Sequence, residues 1–114
     1  MTVKLNNKAY EHAKALVREG KVVSDERDDW SEHAPSTETF NELLDNEGEG
    51  EYSKWFLGID DEEGGPKGKY KFPYGDLKKV HRCAVISGES RAGQYDHYDV
   101  RDALKDLLTR IDER

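Results

Sequence analysis

Apolar residues recur every three or four positions in two long segments of the chain, a spacing typical of amphipathic helices. In residues 5–19 they form one narrow stripe made of Ala9, Ala13, Leu16 and Val17. In residues 97–112 they are Val100, Ala103, Leu104, Leu107, Leu108 and Ile111. We therefore predict a helix in each segment, the first capped by Asn6 or Asn7.

A third, shorter helical pattern occupies residues 38–46, where Phe40, Leu43 and Leu44 would share one face. Ser36 precedes it as a candidate capping residue. Residues 21–23 contain two consecutive valines after Gly20, and this short run predicts a very short strand.

Two segments rich in aromatic and β-favouring residues, 52–59 and 69–74, predict an antiparallel hairpin. In the second segment lysines alternate with Tyr70, Phe72 and Tyr74, so the three rings are expected on one face. Pro73 has no amide to donate, which indicates an edge strand.

The pattern of residues 80–86 fits either a helix or a strand. Helical spacing relates Val80 to Ala84, whereas strand alternation relates His81 to Cys83. The preceding residues favour a helix, because a glycine that permits a turn is followed by an aspartate that caps well.

We therefore predict a helix over about 77–94, with Asp76 as its N-cap. Pro73, Gly75 and Asp76, together with His81, would form a structural corner that orients the neighbouring basic residues.

These elements predict an α+β fold, with a small two- or three-stranded antiparallel sheet and three to four helices. At 114 residues the chain is expected to form a single domain over 1–114. Acidic loops are expected at about 24–35, 46–51 and 60–68.

Composition and charge indicate which partners and which location to expect. Charged residues make up 38% of the chain and the net charge is −7, which disfavours nonspecific binding to nucleic acid or to an anionic membrane. No apolar run approaches the roughly 20 residues that span a bilayer. The N-terminal residues are polar and do not resemble a signal peptide. We expect a soluble, cytoplasmic protein with no membrane partner.

Charge is unevenly distributed along the chain. Residues 24–63 contain fifteen acidic and two basic residues, whereas residues 64–82 contain six basic residues and one acidic residue. The separation indicates either charge complementarity within the fold or a basic surface strip for a partner. The candidate partner-binding residues are Trp30, Lys69, Lys71, Lys78, Lys79, Arg82 and Arg91. Trp30 is alternatively an anchor that fixes its loop to the core.

No set of residues converges on a recognisable catalytic motif. Cys83 has apolar neighbours and is interpreted as a buried structural residue, and Ser90 lies in a Gly-x-Ser-x-x-Gly segment that lacks the spacing of a nucleophile elbow. His97, Asp96 and Asp99 are close in sequence and could join His81 around a metal, but helix capping explains both aspartates more simply. His12 is off the apolar stripe and is expected at the surface. We predict no cofactor and no metal.

Part of the chain resembles a known module. The residues that carry the likeness are 69–76, Val80-His81-Arg82, and 91–95 with Arg91-Ala92 and Gln94-Tyr95. They resemble a short module of phage and prophage proteins found beside prohead proteases and capsid-maturation proteins. The residues of this chain that occupy places similar to those in the module are Trp55, Tyr70, Pro73, Asp76, His81 and Gln94. The resemblance implies a structural or interaction role near phage assembly.

The sequence leads to three functional hypotheses. The first is a small acidic, non-enzymatic interaction module with a protein partner. The second is a nucleic-acid-binding protein that uses the basic aromatic strip of residues 67–82, because bases stack on rings while lysines bind phosphates. The third is a small cysteine or serine hydrolase.

Overall fold

The computed structural model describes residues 3–24, 30, 34–60 and 65–113, without the side chains at positions 66 and 67. Parts of the acidic loops expected at 24–35 and 60–68 lie outside these residues. The strands are β1 Val3–Leu5, β2 Val22–Val23, β3 Phe56–Asp60, β4 Tyr70–Pro73 and β5 Val80–His81. The helices are α1 Asn7–Arg18, α2 Thr37–Glu47, α3 Glu49–Ser53, α4 Pro66–Lys69, α5 Arg82–Gln94 and α6 Tyr98–Asp112.

The main sheet is antiparallel and has the strand order β1-β3-β4. The predicted hairpin is its β3–β4 pair, in which Phe56 lies opposite Pro73 and Ile59 opposite Tyr70. The third strand is β1, where Val3 pairs with Asp60. The α+β fold class and the antiparallel sheet are therefore confirmed. The very short strand predicted at residues 21–23 is β2, which pairs in parallel with β5.

The helix predicted over 77–94 begins five residues later, at Arg82. Leu77 has a φ of 71°, a left-handed conformation from which a right-handed helix cannot start. Val80 and His81 form β5 and pair with Val22 and Val23. The segment is therefore strand first and helix afterwards, and the prediction of a helix from residue 77 was wrong.

The acidic segment 46–51, expected to be a loop, is mostly helical. Gly48, with a φ of 87°, ends α2, and the chain re-enters a helix at Glu49. Tyr52 and Ser53, expected in the first hairpin strand, complete α3 and are buried. The predicted strand 52–59 therefore starts late, at Phe56.

The buried face of α6 forms much of the hydrophobic core. It consists of Val100, Ala103, Leu104, Leu107 and Ile111. Each buried leucine contributes about 1.5–3 kcal/mol relative to an exposed one. Helix α6 packs mainly against α5 and also contacts α1 and β1. None of the helices that the structure describes is both long and apolar enough to cross a membrane.

Asn6 has a role different from the one predicted. It occupies the N-cap position of α1, but its side chain does not cap the helix. The buried Nδ2 donates instead to the carbonyl oxygens of Ser53 at 2.9 Å and Phe56 at 3.0 Å. Asn6 thus joins the start of α1 to the start of β3.

Candidate functional site

A cleft of about 440 Å³ lies where β4 meets the turn between α5 and α6. We call it the cationic cleft, and its described lining residues are Val3, Lys71, Phe72, Arg91, Tyr95 and His97. Three separate parts of the chain meet here: β1, β4 and the α5–α6 corner. Its volume is within the range of ligand-binding clefts in proteins.

Phe72 forms one wall of the cleft, and Gly58 lies behind it. Phe72 has a φ of 65°, which is rare for a bulky residue. A Cβ added at Gly58 would lie 2.8 Å from the ring carbon Cδ2 of Phe72 and 3.0 Å from Cγ1 of Val3. Glycine at position 58 therefore lets the Phe72 ring and the Val3 side chain lie directly over β3.

The turn between α5 and α6 positions the opposite wall. The amide of Asp96 donates to the carbonyl of Gly93 at 3.3 Å, and the amide of His97 donates to that of Ala92 at 2.8 Å. Asp96 has a φ of 61°, so the turn is a Schellman motif with aspartate in the usual glycine position. This motif holds Tyr95 and His97 on either side of the turn.

Aromatic rings follow one another along this wall. The ring of His97 lies 6.0 Å from that of Phe72, edge to face, and 6.4 Å from that of Tyr95, nearly parallel. Tyr95 is 57% exposed, which is unusual for a large aromatic side chain. The cleft therefore offers an accessible ring to a ligand.

Two cations complete the cleft. Neither Lys71 nor Arg91 forms an ion pair with any residue that the structure describes, and Arg91 is exposed. No acidic side chain occurs among the described lining residues. In a chain of net charge −7, the cleft is a local positive site with aromatic walls. Such a site is suited to an anion attached to an apolar or planar group.

A smaller depression of about 80 Å³ adjoins the cationic cleft. We call it the Trp30 hollow, and its described lining residues are Trp30, Phe72, Pro73, Ala84, Ser87, Gly88 and Arg91. Phe72 and Arg91 line both depressions. Trp30 is half-buried and its ring lies 5.6 Å from that of His81, so it is attached to the fold and also borders an open surface.

The basic residues predicted to bind a partner do not lie on one surface. Lys71 and Arg91 line the cationic cleft. Arg82 instead forms an ion pair with Asp112 at 2.8 Å, and the ammonium of Lys69 lies 5.6 Å from the centre of the Tyr70 ring. The side chains of Lys78 and Lys79 are exposed and are not among the described residues of the cleft.

The predicted aromatic face does not exist as one surface. Tyr74 is fully buried and stacks on Trp55, with ring centres 5.5 Å apart. Tyr70 packs against Tyr52 at 5.9 Å, while Phe72 faces the cleft. The left-handed backbone at Phe72 breaks the alternation on which the expectation of a shared face depended.

The structural corner predicted at residues 73–81 is present in a modified form. A Cβ at Gly75 would lie 2.4 Å from the carbonyl oxygen of Lys79, so only glycine fits this tight loop. Asp76 accepts hydrogen bonds from the amides of Lys78 at 3.0 Å and Lys79 at 2.7 Å. It caps a turn inside the loop, because the helix starts only at residue 82.

His12 is not a solvated surface residue. It is half-buried, and its Nδ1 lies 2.9 Å from the hydroxyl of Tyr74, which itself donates to the carbonyl of Lys54 at 2.6 Å. The His12 ring also meets Trp55 edge to face at 4.9 Å. Burial lowers the pKa of His12 and raises the pKa of Tyr74, so both side chains favour their neutral forms.

The candidate catalytic and metal-binding residues do not form a site in the part of the chain that the structure describes. Cys83 is fully buried, and Ser90 is exposed on α5. Asp96 accepts a hydrogen bond from the Tyr98 hydroxyl, and Asp99 accepts one from the amide of Leu5. Across residues 3–24, 30, 34–60 and 65–113, no three histidine, cysteine, aspartate or glutamate side chains are grouped to hold a metal ion.

Tyr95 was not predicted as a site residue from the sequence, and His97 was considered only as a candidate metal ligand. Both residues belong to the cleft through the turn at Asp96. The local signal is Asp96 after a helical segment, since aspartate tolerates the left-handed conformation that such a turn requires.

Comparisons with protein-family models, with curated proteins and with solved structures found no match for this chain. The resemblance of the C-terminal half of the chain to a phage module therefore stays a prediction.

Proposed function

We propose that this chain is a non-enzymatic interaction module that binds an acidic segment of a protein partner in the cationic cleft. One observation carries the proposal: Lys71 and Arg91, neither ion-paired with a described residue, line one cleft beside exposed Tyr95. The relation to phage assembly and the cytoplasmic location are part of this proposal and rest on the sequence.

The charges favour a peptide over a nucleic acid. The chain has a net charge of −7, which repels a strand carrying one phosphate per nucleotide. A short segment with two or three carboxylates is repelled less and still matches the two cations. The buried position of Tyr74 also removes one ring of the stacking surface that the nucleic-acid hypothesis requires.

The positions of the candidate nucleophiles favour binding over hydrolysis. Cys83 is completely shielded from solvent, so its sulfur cannot meet a substrate in this structure. Ser90 is accessible but is not among the described residues of either depression.

The test is a titration of the labelled protein with a ten-residue peptide that carries three glutamates among uncharged residues, followed by NMR of backbone amides. We expect shift changes concentrated at residues 71–72 and 95–97. We expect the dissociation constant to rise with salt, and to rise about two- to fivefold in Lys71→Gln and in Arg91→Gln.

Lys105→Gln is the matched control, because Lys105 is an exposed cation on α6 outside the described cleft lining. An equal loss of affinity in this variant would show diffuse charge attraction and overturn the proposal. A parallel titration uses an oligothymidylate. Binding of the oligonucleotide alone, weakened by Lys78→Gln and Lys79→Gln, would support the nucleic-acid-binding alternative instead.

A further inference from the structure

We infer that the Trp30 hollow is a second subsite for the same partner and takes an aliphatic side chain that neighbours the partner's carboxylates. This inference rests on the proposed function, since it assumes that an acidic segment occupies the cationic cleft. It specifies the partner as an acidic peptide segment with an apolar side chain, such as leucine, two residues from one of its acids.

The lining of the hollow is suited to a small apolar group. Apart from Arg91 at the edge shared with the cleft and the hydroxyl of Ser87, its described lining is aromatic rings, proline, alanine and glycine. Its volume of about 80 Å³ is roughly that of two or three water molecules. A branched aliphatic side chain matches this size, whereas a nucleobase with its sugar does not.

The hollow and the cleft form one continuous surface. Phe72 and Arg91 line both depressions. A ligand whose carboxylate meets Arg91 therefore has another of its side chains within reach of the hollow. In an extended peptide the side chains at positions i and i+2 point to the same side, so one peptide satisfies this arrangement and two independent ligands are not needed.

The walls of the hollow are held in place by contacts outside it. The Trp30 ring packs on the ring of His81, which is buried and bonded to Asp76 at 2.8 Å. The Phe72 ring is supported from below by the close approach that Gly58 permits. A preformed hollow costs little ordering when a ligand enters, which favours binding.

The experiment compares two ten-residue peptides that each carry three glutamates among uncharged residues and differ at one position, leucine or alanine, two residues from a glutamate. A leucine exceeds an alanine by three carbon atoms, so its partial burial predicts about tenfold tighter binding of the leucine peptide. Affinity is measured by calorimetry on the full chain, and the site by NMR shifts at residues 84–91.

Two variants make the test specific. Ser87→Leu fills the hollow from α5, so we expect it to remove the preference for leucine while leaving affinity for the alanine peptide. Ser90→Leu is the matched control, because Ser90 is an exposed serine of the same helix outside the described lining. It should keep the tenfold preference.

Equal affinities of the two peptides for the native chain would overturn the inference and leave the proposed function intact. Loss of the preference in both serine variants would also overturn it, because the effect would not be local to the hollow. Failure of both peptides to bind would overturn the proposed function together with the inference.

Discussion

The imidazole Nε2 of His81 lies 2.8 Å from the carboxylate oxygen Oδ2 of Asp76. The other oxygen of the same carboxylate accepts the amides of Lys78 and Lys79. One side chain therefore closes the loop that leads from β4 into β5 and fixes the ring on which Trp30 packs.

We expect Asp76→Ala to lower the free energy of unfolding by about 1–2 kcal/mol, because it removes three hydrogen bonds from a partly buried loop. Asp76→Asn should retain most of this stability, since asparagine also accepts amide hydrogen bonds. Urea unfolding at neutral pH measures both. A loss of several kcal/mol in both variants would contradict the turn-capping role.

The same carboxylate predicts a pH dependence. Partial burial opposes its ionisation, but hydrogen bonds from His81, Lys79 and Lys78 hold the pKa of Asp76 below its ordinary value. Its contribution to stability is thus fully present above the unfolded pKa of about 3.9 and is lost as the pH falls through the lower folded pKa. Below pH 4 the native chain should lose more stability than Asp76→Asn. Parallel acid-unfolding curves would contradict this expectation.

Gly58→Ala should destabilise the fold and disturb the cationic cleft. The added methyl group would lie 2.8 Å from the Phe72 ring, and relieving this overlap is expected to cost about 1–3 kcal/mol. Thermal unfolding measures the loss, and the ring resonances of Phe72 report the displacement. Gly65→Ala is the control, because a Cβ there meets nothing within 4 Å. Equal effects in the two variants would show that the close packing over Gly58 is unimportant.

Asn6→Ala should cost about 1–3 kcal/mol, because it leaves the buried carbonyls of Ser53 and Phe56 without their donor. Asn7→Ala changes an exposed residue of the same type one position later and should be nearly neutral. Chemical denaturation distinguishes the two. If Asn7→Ala were the more harmful change, helix capping rather than the connection to β3 would be the relevant role.

Leu104→Ala and Leu107→Ala should each lower the free energy of unfolding by about 2–5 kcal/mol, as expected for fully buried leucines. Leu108→Ala should cost less, because Leu108 is only half-buried. Losses below about 1 kcal/mol at positions 104 and 107 would show that this face of α6 is not in the core.

The elements predicted well from sequence are those whose pattern is local. The last helix was expected over 97–112 and spans Tyr98–Asp112, because its apolar stripe faces the core along its whole length. The hairpin strands were predicted with the correct pairing, but the first was placed four residues early. Tyr52 is buried from a helix, and its apolar character does not distinguish a helix from a strand.

Elements that form only by pairing with residues far away in the sequence could not be predicted from local patterns. Strand β1 has three residues and pairs with β3, more than fifty positions away. The role of Asp76 was ambiguous for a different reason. An aspartate side chain can accept hydrogen bonds from nearby amides in a turn as well as at the start of a helix, so its presence does not identify which of the two follows. The cations of the cleft were evident from sequence, whereas its aromatic wall required the packing of the α5–α6 corner against the sheet.

The attachment of the N-terminal elements to α6 has a consequence during protein synthesis. The amide of Leu5 pairs with Asp99, 94 positions later in the chain, and the Tyr10 hydroxyl donates to Asp106. At typical ribosomal rates of about 5–20 residues per second, these partners emerge roughly 5–20 s after β1 and α1. Until then the apolar stripe of α1 cannot pack against α6, and the native fold cannot form. During this interval a chaperone can bind the exposed stripe.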